Sequence, residues 1–206
     1  MLGYPSHGDL ATFRRFNALR RELFYSAKYN DLLESLGYDR FPFDAICPES
    51  QALTVYACPN ELNYPFVKRF SWFNLEVFSR PEPVTEDVSL ETLGVPRAFL
   101  EDDLEGKFTG RILYLSLGTI GGADLGLMRR LLDILSTTSH KVIVSLGPRA
   151  AELLQQRKQS LPRNMWGERY LPQTALLPFV DLVITHGGNN TFTEVFARGK
   201  PMVVSV

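Results

Sequence analysis

Cysteine is scarce in this chain: its 206 residues hold two, Cys47 and Cys58. Neither stands in a spacing that grips a metal ion, which argues against both a disulfide framework and a zinc site and favours a reducing, cytoplasmic setting. Charge of one sign is missing as well. Lys and Arg number 22 against 23 Asp and Glu, a formal net charge of -1 with a sequence pI near 6.3. No overall field recommends nucleic acid or an anionic membrane as partner, so an anionic ligand needs a local site. Long apolar runs are also absent: the stretch from Ala175 to Ile184 is broken by Pro178 and Asp181, and no membrane segment is expected. Met1 is followed by Leu2-Gly3-Tyr4-Pro5-Ser6-His7, with neither the basic start nor the apolar run of a signal peptide.

What is present is enough apolar material for a core, 45% hydrophobic residues with 12% aromatics, so the chain reads as globular. From Leu10 to Leu36 the apolar residues Phe13, Phe16, Leu19, Leu23 and Ala27 recur at steps of three and four. That spacing predicts an amphipathic helix ending near Gly37, with Arg14, Arg15, Arg20 and Arg21 on its solvated face. Ala52 to Ala57 reads as a buried strand, with the aromatic cluster Phe66 to Phe78 packed near it. Pro81, Pro83 and Pro96 then punctuate an acidic stretch ending near Glu101-Asp102-Asp103, as an exposed linker between domains would. The expected division is therefore 1–80, linker 81–105, and 106–206.

Beyond the linker the pattern is regular. Strands are expected at Arg111–Leu117, Lys141–Ser145, a short one ending near Tyr170, Leu182–Thr185 and Met202–Val206; helices at Asp124–Ser136, Arg149–Ser160, Gln173–Phe179 and Thr191–Arg198. Alternation of this kind predicts an α/β fold, a parallel sheet with helices on both faces. Ligands of such sheets sit at the carboxyl ends of the strands, which directs attention to the loops at 118–123, 146–148, 171–173 and 186–191. The chain stops inside what reads as a core strand, and the fold is expected to be incomplete at both ends.

The most informative loop is Thr185-His186-Gly187-Gly188-Asn189-Asn190-Thr191, with Glu194 a turn further on. A strand delivers a histidine, two glycines allow close backbone approach, and a helix start then offers free N–H groups and its dipole to a phosphate. Glu194 could accept both hydroxyls of a ribose. An ordinary strand, turn and helix with Asn189 as N-cap and His186 as a satisfied polar residue also fits these residues taken alone. Upstream, Tyr170 before Leu171-Pro172-Gln173 offers a flat face for a base. By itself an aromatic before proline is more often packing. Asn189-Asn190-Thr191 matches the glycosylation acceptor pattern, but a glycan would block the phosphate cradle, and the match is read as chance.

Tyr170-Leu171-Pro172-Gln173, Leu176-Leu177, Ile184 to Thr191, Glu194 and Gly199-Lys200-Pro201-Met202 together resemble the donor-binding signature of the family 1 UDP-dependent glycosyltransferases. Ser116-Leu117-Gly118-Thr119 is similar to that family's phosphate-side loop. The resemblance implies a GT-B fold, with residues 106–206 as a Rossmann-like donor-binding domain and residues 1–80 as the end of the acceptor-binding domain. It implies transfer of a hexose from a UDP-sugar, UDP-glucose being the expected donor, to a small lipophilic acceptor, with no further cofactor and no metal. Tyr170 would stack on uracil and Gln173 line the nucleoside pocket. His186 would meet the diphosphate, Gly188 allow its approach, Asn190 and Thr191 bind phosphate oxygens, Thr119 lie beside them, and Glu194 hold the ribose. Asn189 stands where many relatives carry tryptophan, which leaves the sugar contact open. No catalytic residue is assigned: His7 follows no strand, and His140 precedes one and reads as a surface residue. The chain alone is expected to bind donor without turning it over.

Two other readings remain. A non-catalytic nucleotide-sugar-binding or partner module would keep the same site. A dinucleotide-dependent oxidoreductase is disfavoured, because Gly118-Thr119-Ile120-Gly121-Gly122 spaces its glycines as G-x-x-G-G and no acidic residue ends the next strand.

Overall fold

The run Ile112-Leu113-Tyr114-Leu115-Ser116 forms the middle strand of the molecule, buried from Leu113 onward because neighbours flank it and helices cover both its faces. The computed structural model describes residues 26–40, 50, 52–62, 72–76, 88–108, 110–156 and 160–204. In chain order the elements are α1 (Ser26–Ser35), β1 (Thr54–Tyr56), β2 (Trp72–Asn74), α2 (Arg97–Glu101), β3 (Ile112–Ser116), α3 (Gly118–Gly121), α4 (Leu125–Ser136), β4 (Lys141–Ser145), α5 (Ala150–Gln156), β5 (Met165–Glu168), α6 (Gln173–Leu176), β6 (Leu182–Thr185), α7 (Asn189–Ala197) and β7 (Met202–Val204). Short 3-10 turns lie at Asn60–Leu62 and Leu177–Phe179.

The larger sheet has five strands in the order β5-β4-β3-β6-β7, and its four pairings are all parallel. Strand alternation sorts the core into two layers. Leu113, Leu115, Leu117, Val142 and Val144 point to one face, where Met128, Leu132 and Leu135 of α4 and Leu153 of α5 cover them. Tyr114, Ile143 and Val183 point to the other, under Leu176, Val180, Val195, Val95 and Phe99. The expected parallel α/β sheet with helices on both faces is therefore present. Strand β7 differs from the other strands in its exposure. It reads as a core strand, but it lies at the sheet edge with Val203 and Val204 exposed.

The segment expected to be an exposed linker is, over its described residues 88–105, partly built into this second face. Val95 and Phe99 are buried there against the sheet. Their anchor is Lys141, a buried lysine at the start of β4 whose ammonium bonds the carbonyl of Leu100 and lies 4.2 Å from the ring centroid of Phe108. Burial pushes the lysine pKa down, and Asp102 and Asp103 oppose the shift. Arg163 closes the same corner, with bonds of 2.8 and 2.9 Å to Asp102 and 2.6 Å to Glu105. Across 81–105 the three prolines and the acidic residues mask Val95 and Phe99, the buried anchors that dock its described part.

By compactness the chain divides into Met1–Thr54 with Phe70–Trp72, and Val55–Arg69 with Phe73–Val206. Helix α1 ends as expected: Gly37 takes a φ of 79°, and the Tyr38 N–H returns to the Leu33 carbonyl at 2.9 Å. The earlier part of the predicted helix, with its arginines, lies outside the described residues. The strand expected at 52–57 is shorter and not buried: among the described residues β1 pairs with β2, and Leu53 and Val55 are exposed. Much of the aromatic cluster, and Cys47, lie outside the described residues, while Cys58 is a free thiol raised in pKa by burial. Among the described residues no helix is long and apolar enough to cross a membrane.

Asp181 ties β6 to β3 at the amino end of the sheet. Its carboxylate accepts the Ile112 N–H at 2.8 Å and the Arg111 guanidinium at 2.9 Å, and these bonds, the backbone one first, hold its pKa below the usual carboxylate value. A depressed pKa contributes stability that is complete above the unfolded value and disappears as pH falls through the folded one. Asp181→Asn is therefore expected to cost about 1 kcal/mol in urea unfolding at pH 7, with partial exposure reducing the charged-bond figure. The gap should shrink below about pH 4 and vanish once both states are protonated.

Candidate functional site

The chain runs from β3 through β4 to β5 on one side of the sheet, then returns to β6 on the other side of β3. The strand order thus reverses between β3 and β6, and the crevice at their carboxyl ends is where an open α/β sheet accepts a ligand. The loops 117–122 and 186–188 meet there.

Their meeting point is the imidazole of His186. A Cβ on Gly118, whose φ is +64°, would lie 2.5 Å from the His186 Cε1, and one on Gly188 would lie 2.5 Å from both Cε1 and Nε2. Gly121 adds a third close approach, 3.4 Å from the His186 Cβ. The ring fills a slot that only residues without a Cβ can form. Its Nδ1 is buried and has no hydrogen-bond partner among the described residues. A buried polar atom left so costs stability unless a ligand or water completes it.

Helix α7 starts beside this ring. Its N-cap is Gly188, with no side-chain cap bond, so Asn189 is the first helical residue and not the cap. Helix α4, which opens on the same edge, is closed by Asp124, whose carboxylate accepts the Leu127 N–H at 3.0 Å. Of these two helix starts, α4 is already filled by an anion and α7 offers its N–H groups and dipole. The helix begins two residues earlier than the sequence suggests. Asn190 and Thr191 therefore lie in its first turn, Asn190 exposed and Thr191 buried.

Behind the first turn lies a polar cluster. The Gln173 amide donates to the Glu194 carboxylate at 2.6 Å and to the Thr191 hydroxyl at 3.3 Å. Glu194 is only 3% exposed, so it faces the start of α6 more than open solvent. A substitution there is expected to affect folding as well as any ligand, contrary to a pocket-facing side chain. The partners stand 21 residues apart in sequence and no local pattern announces the bond. Tyr170 follows β5, 58% exposed as a residue, with the Arg169 guanidinium 5.3 Å from its ring centroid. Thr119 is exposed on α3, next to Gly118. Thr119, His186, Gly188 and Asn190 thus gather at the crevice, Gln173, Thr191 and Glu194 form the cluster behind it, and Tyr170 stands apart on the β5 loop. His140 lies at the opposite end of the sheet, before β4. Among the described residues no group of three His, Cys, Asp or Glu could hold a metal ion.

Residues 126–206 match the glycosyltransferase family 28 C-terminal domain. An uncharacterized UDP-glucosyltransferase YdhE of Bacillus subtilis (strain 168) is 32% identical over 94 residues, 46% of this chain and 23% of the relative. The demethyllactenocin mycarosyltransferase of Streptomyces fradiae is 30% identical over 109 residues, 52% of this chain and 23% of that protein. The solved glycotransferase of kitacinnamycin superposes with a TM-score of 0.57 at 18% identity, over 94% of this chain and 48% of that one. The chain has the GT-B type of α/β fold, and residues 126–206 are similar to a glycosyltransferase C-terminal domain. Its Rossmann-like sheet is the α/β fold that the resemblance implied, and the glycosyltransferase match falls on the half that carries the crevice. The matched stretches span about a quarter of the curated relatives' lengths.

The slot gives a direct test. Gly118→Ala combines a left-handed backbone with a Cβ 2.5 Å from a ring that Gly188 blocks from behind. A loss of about 1–3 kcal/mol in denaturant unfolding is expected, with displaced His186 ring resonances in NMR spectra. An unchanged midpoint and unchanged resonances would mean that the slot is not tight.

Proposed function

We propose that this chain supplies the nucleotide-sugar-binding part of a UDP-dependent glycosyltransferase that moves a hexose, from UDP-glucose by preference, to a small lipophilic acceptor. The observation that carries the reading is the His186 ring, slotted between Gly118 and Gly188 with its Nδ1 unpartnered, beside the uncapped start of α7 at the sheet's switch point. A diphosphate completes both: the helix N–H groups take its oxygens, and His186 supplies a donor. Such groups meet the charge that grows on the leaving UDP, so the transfer requires no metal.

Strand spacing supports the placement of the base. From β5 to β6 there are three strand gaps, about 14 Å at ~4.8 Å each, which suits a base at Tyr170 and phosphates at His186. In this reading Gln173 and Glu194, bonded to each other at 2.6 Å, meet the ribose. Thr119, Asn190 and Thr191 flank the phosphates. In this reading residues 1–80 belong to the acceptor side and the enzyme works in the cytoplasm. The nucleophile's proton requires a base, and His186 is committed to the leaving group, so that base is not among the described residues of the donor side.

Calorimetry tests the reading. UDP is expected to bind about tenfold or more tightly than AMP or NAD, and dTDP is the comparison that decides between uridine and thymidine donors. Glu194→Ala should weaken UDP by about one to two orders of magnitude if its carboxylate holds the ribose hydroxyls. In that case 2′,3′-dideoxy-UDP binds the wild type and the variant about equally. An equal loss for UDP and the dideoxy analogue would place the ribose elsewhere, and absence of UDP binding by folded protein would overturn the whole reading.

A further inference from the structure

We propose that Arg149 is a positioning residue of the nucleotide site, bracing the α3 turn and, through that turn, the ring of His186. The inference rests on the nucleotide reading above and adds a loop to which no ligand contact is assigned, residues 146–149 after β4.

That loop touches both halves of the site. On the β5 side, the Leu146 and Gly147 N–H groups donate to the carbonyls of Glu168 and Arg169 at 2.8 and 3.0 Å, holding the chain just before Tyr170. On the β3 side, the backbones of Gly147 and Gly122 are in direct contact: a Cβ on Gly147, whose φ is +79°, would lie 3.2 Å from the Gly122 Cα. Gly122 is in turn bonded to Gly118, its N–H to that carbonyl at 3.0 Å. Gly118 forms one wall of the His186 slot. A path of backbone contacts therefore runs from the Tyr170 loop to His186, and its middle is Gly147 against Gly122.

Arg149 fastens that middle. Its Nη1 donates to the Ala123 carbonyl at 3.1 Å, across 26 residues of sequence. An arginine at the ligand edge of a parallel sheet invites a reading as an anion ligand, but its other nitrogens point elsewhere. Nε and Nη2 donate to the two Glu152 oxygens on α5 at 3.0 and 2.6 Å. The guanidinium is thus anchored on its own helix and directed at a carbonyl of the α3 turn. The ion pair with Glu152 is exposed and contributes little by itself. The bond to Ala123 crosses between two loops, and its loss lets the α3 turn drift from the imidazole it packs against.

The test compares wild type with Arg149→Met, Arg149→Lys and Glu152→Gln in the full chain. Affinities for UDP and uridine come from calorimetry and ligand-observed NMR, the His186 ring resonances from NMR of the free protein, and the urea midpoint from unfolding. Arg149→Met is expected to lower UDP affinity about five- to tenfold, leave uridine within about twofold, and shift the ring resonances. Arg149→Lys, which keeps one donor for the carbonyl, should recover part of the UDP loss. Glu152→Gln, which keeps one acceptor for the guanidinium that it orients, should show the Arg149→Met pattern at smaller amplitude. Equal losses for UDP and uridine, or a lowered urea midpoint with unmoved ring resonances, would make Arg149 merely structural and overturn the brace. If wild type binds no UDP, the nucleotide reading fails, and the ring resonances of the free protein still decide whether Arg149 positions His186.

Discussion

His186 can stand where it does only because no Cβ projects from Gly118 or Gly188. That steric allowance brings the loop after β3 and the loop after β6 into one wall, and the rest of the crevice follows from it. The turn of α3 must be glycine-rich to approach the ring, α7 must begin immediately after Gly188, and its first N–H groups are left without a side-chain cap. A larger residue at either position would part the two loops at the point where the sheet reverses its order.

The sheet was legible in the sequence because a parallel strand covered on both faces must be apolar nearly throughout. Leu113 to Leu117, Lys141 to Ser145 and Leu182 to Thr185 carry that signature without alternation. The loop at 186–188 was legible for a different reason, since adjacent glycines between a strand and a helix have few uses other than close approach. The same logic failed at 88–105. Over the whole of 81–105 the three prolines and the acidic residues pointed to solvent, while Val95 and Phe99, with Leu90, Leu93 and Leu100 partly buried beside them, decided the packing.

Long-range polar contacts were invisible for a stricter reason. Gln173 with Glu194, Arg149 with Ala123, and Asp181 with Ile112 join residues whose separations have no period, so neither helix nor strand spacing relates them. Each contact exists because the fold returns a loop to the same edge of the sheet. The helix start at Asn189 shows the limit on a smaller scale: asparagine is a favoured cap, yet glycine holds the position, because the ring of His186 already fills the space a cap side chain would need.

The Lys141 cage has a bearing on how this sheet can be exchanged between relatives. Because residues 95–108 dock on β4 through Phe99, Leu100 and Phe108, they travel with the sheet and not with what precedes it. A chimera joined at the prolines and acids near residue 100 would strand a buried ammonium without its carbonyl and rings, whereas a junction upstream of residue 88 would carry the whole cage intact. The natural seam for recombination therefore lies upstream of the part of 81–105 that docks on the sheet, and not near its acidic end.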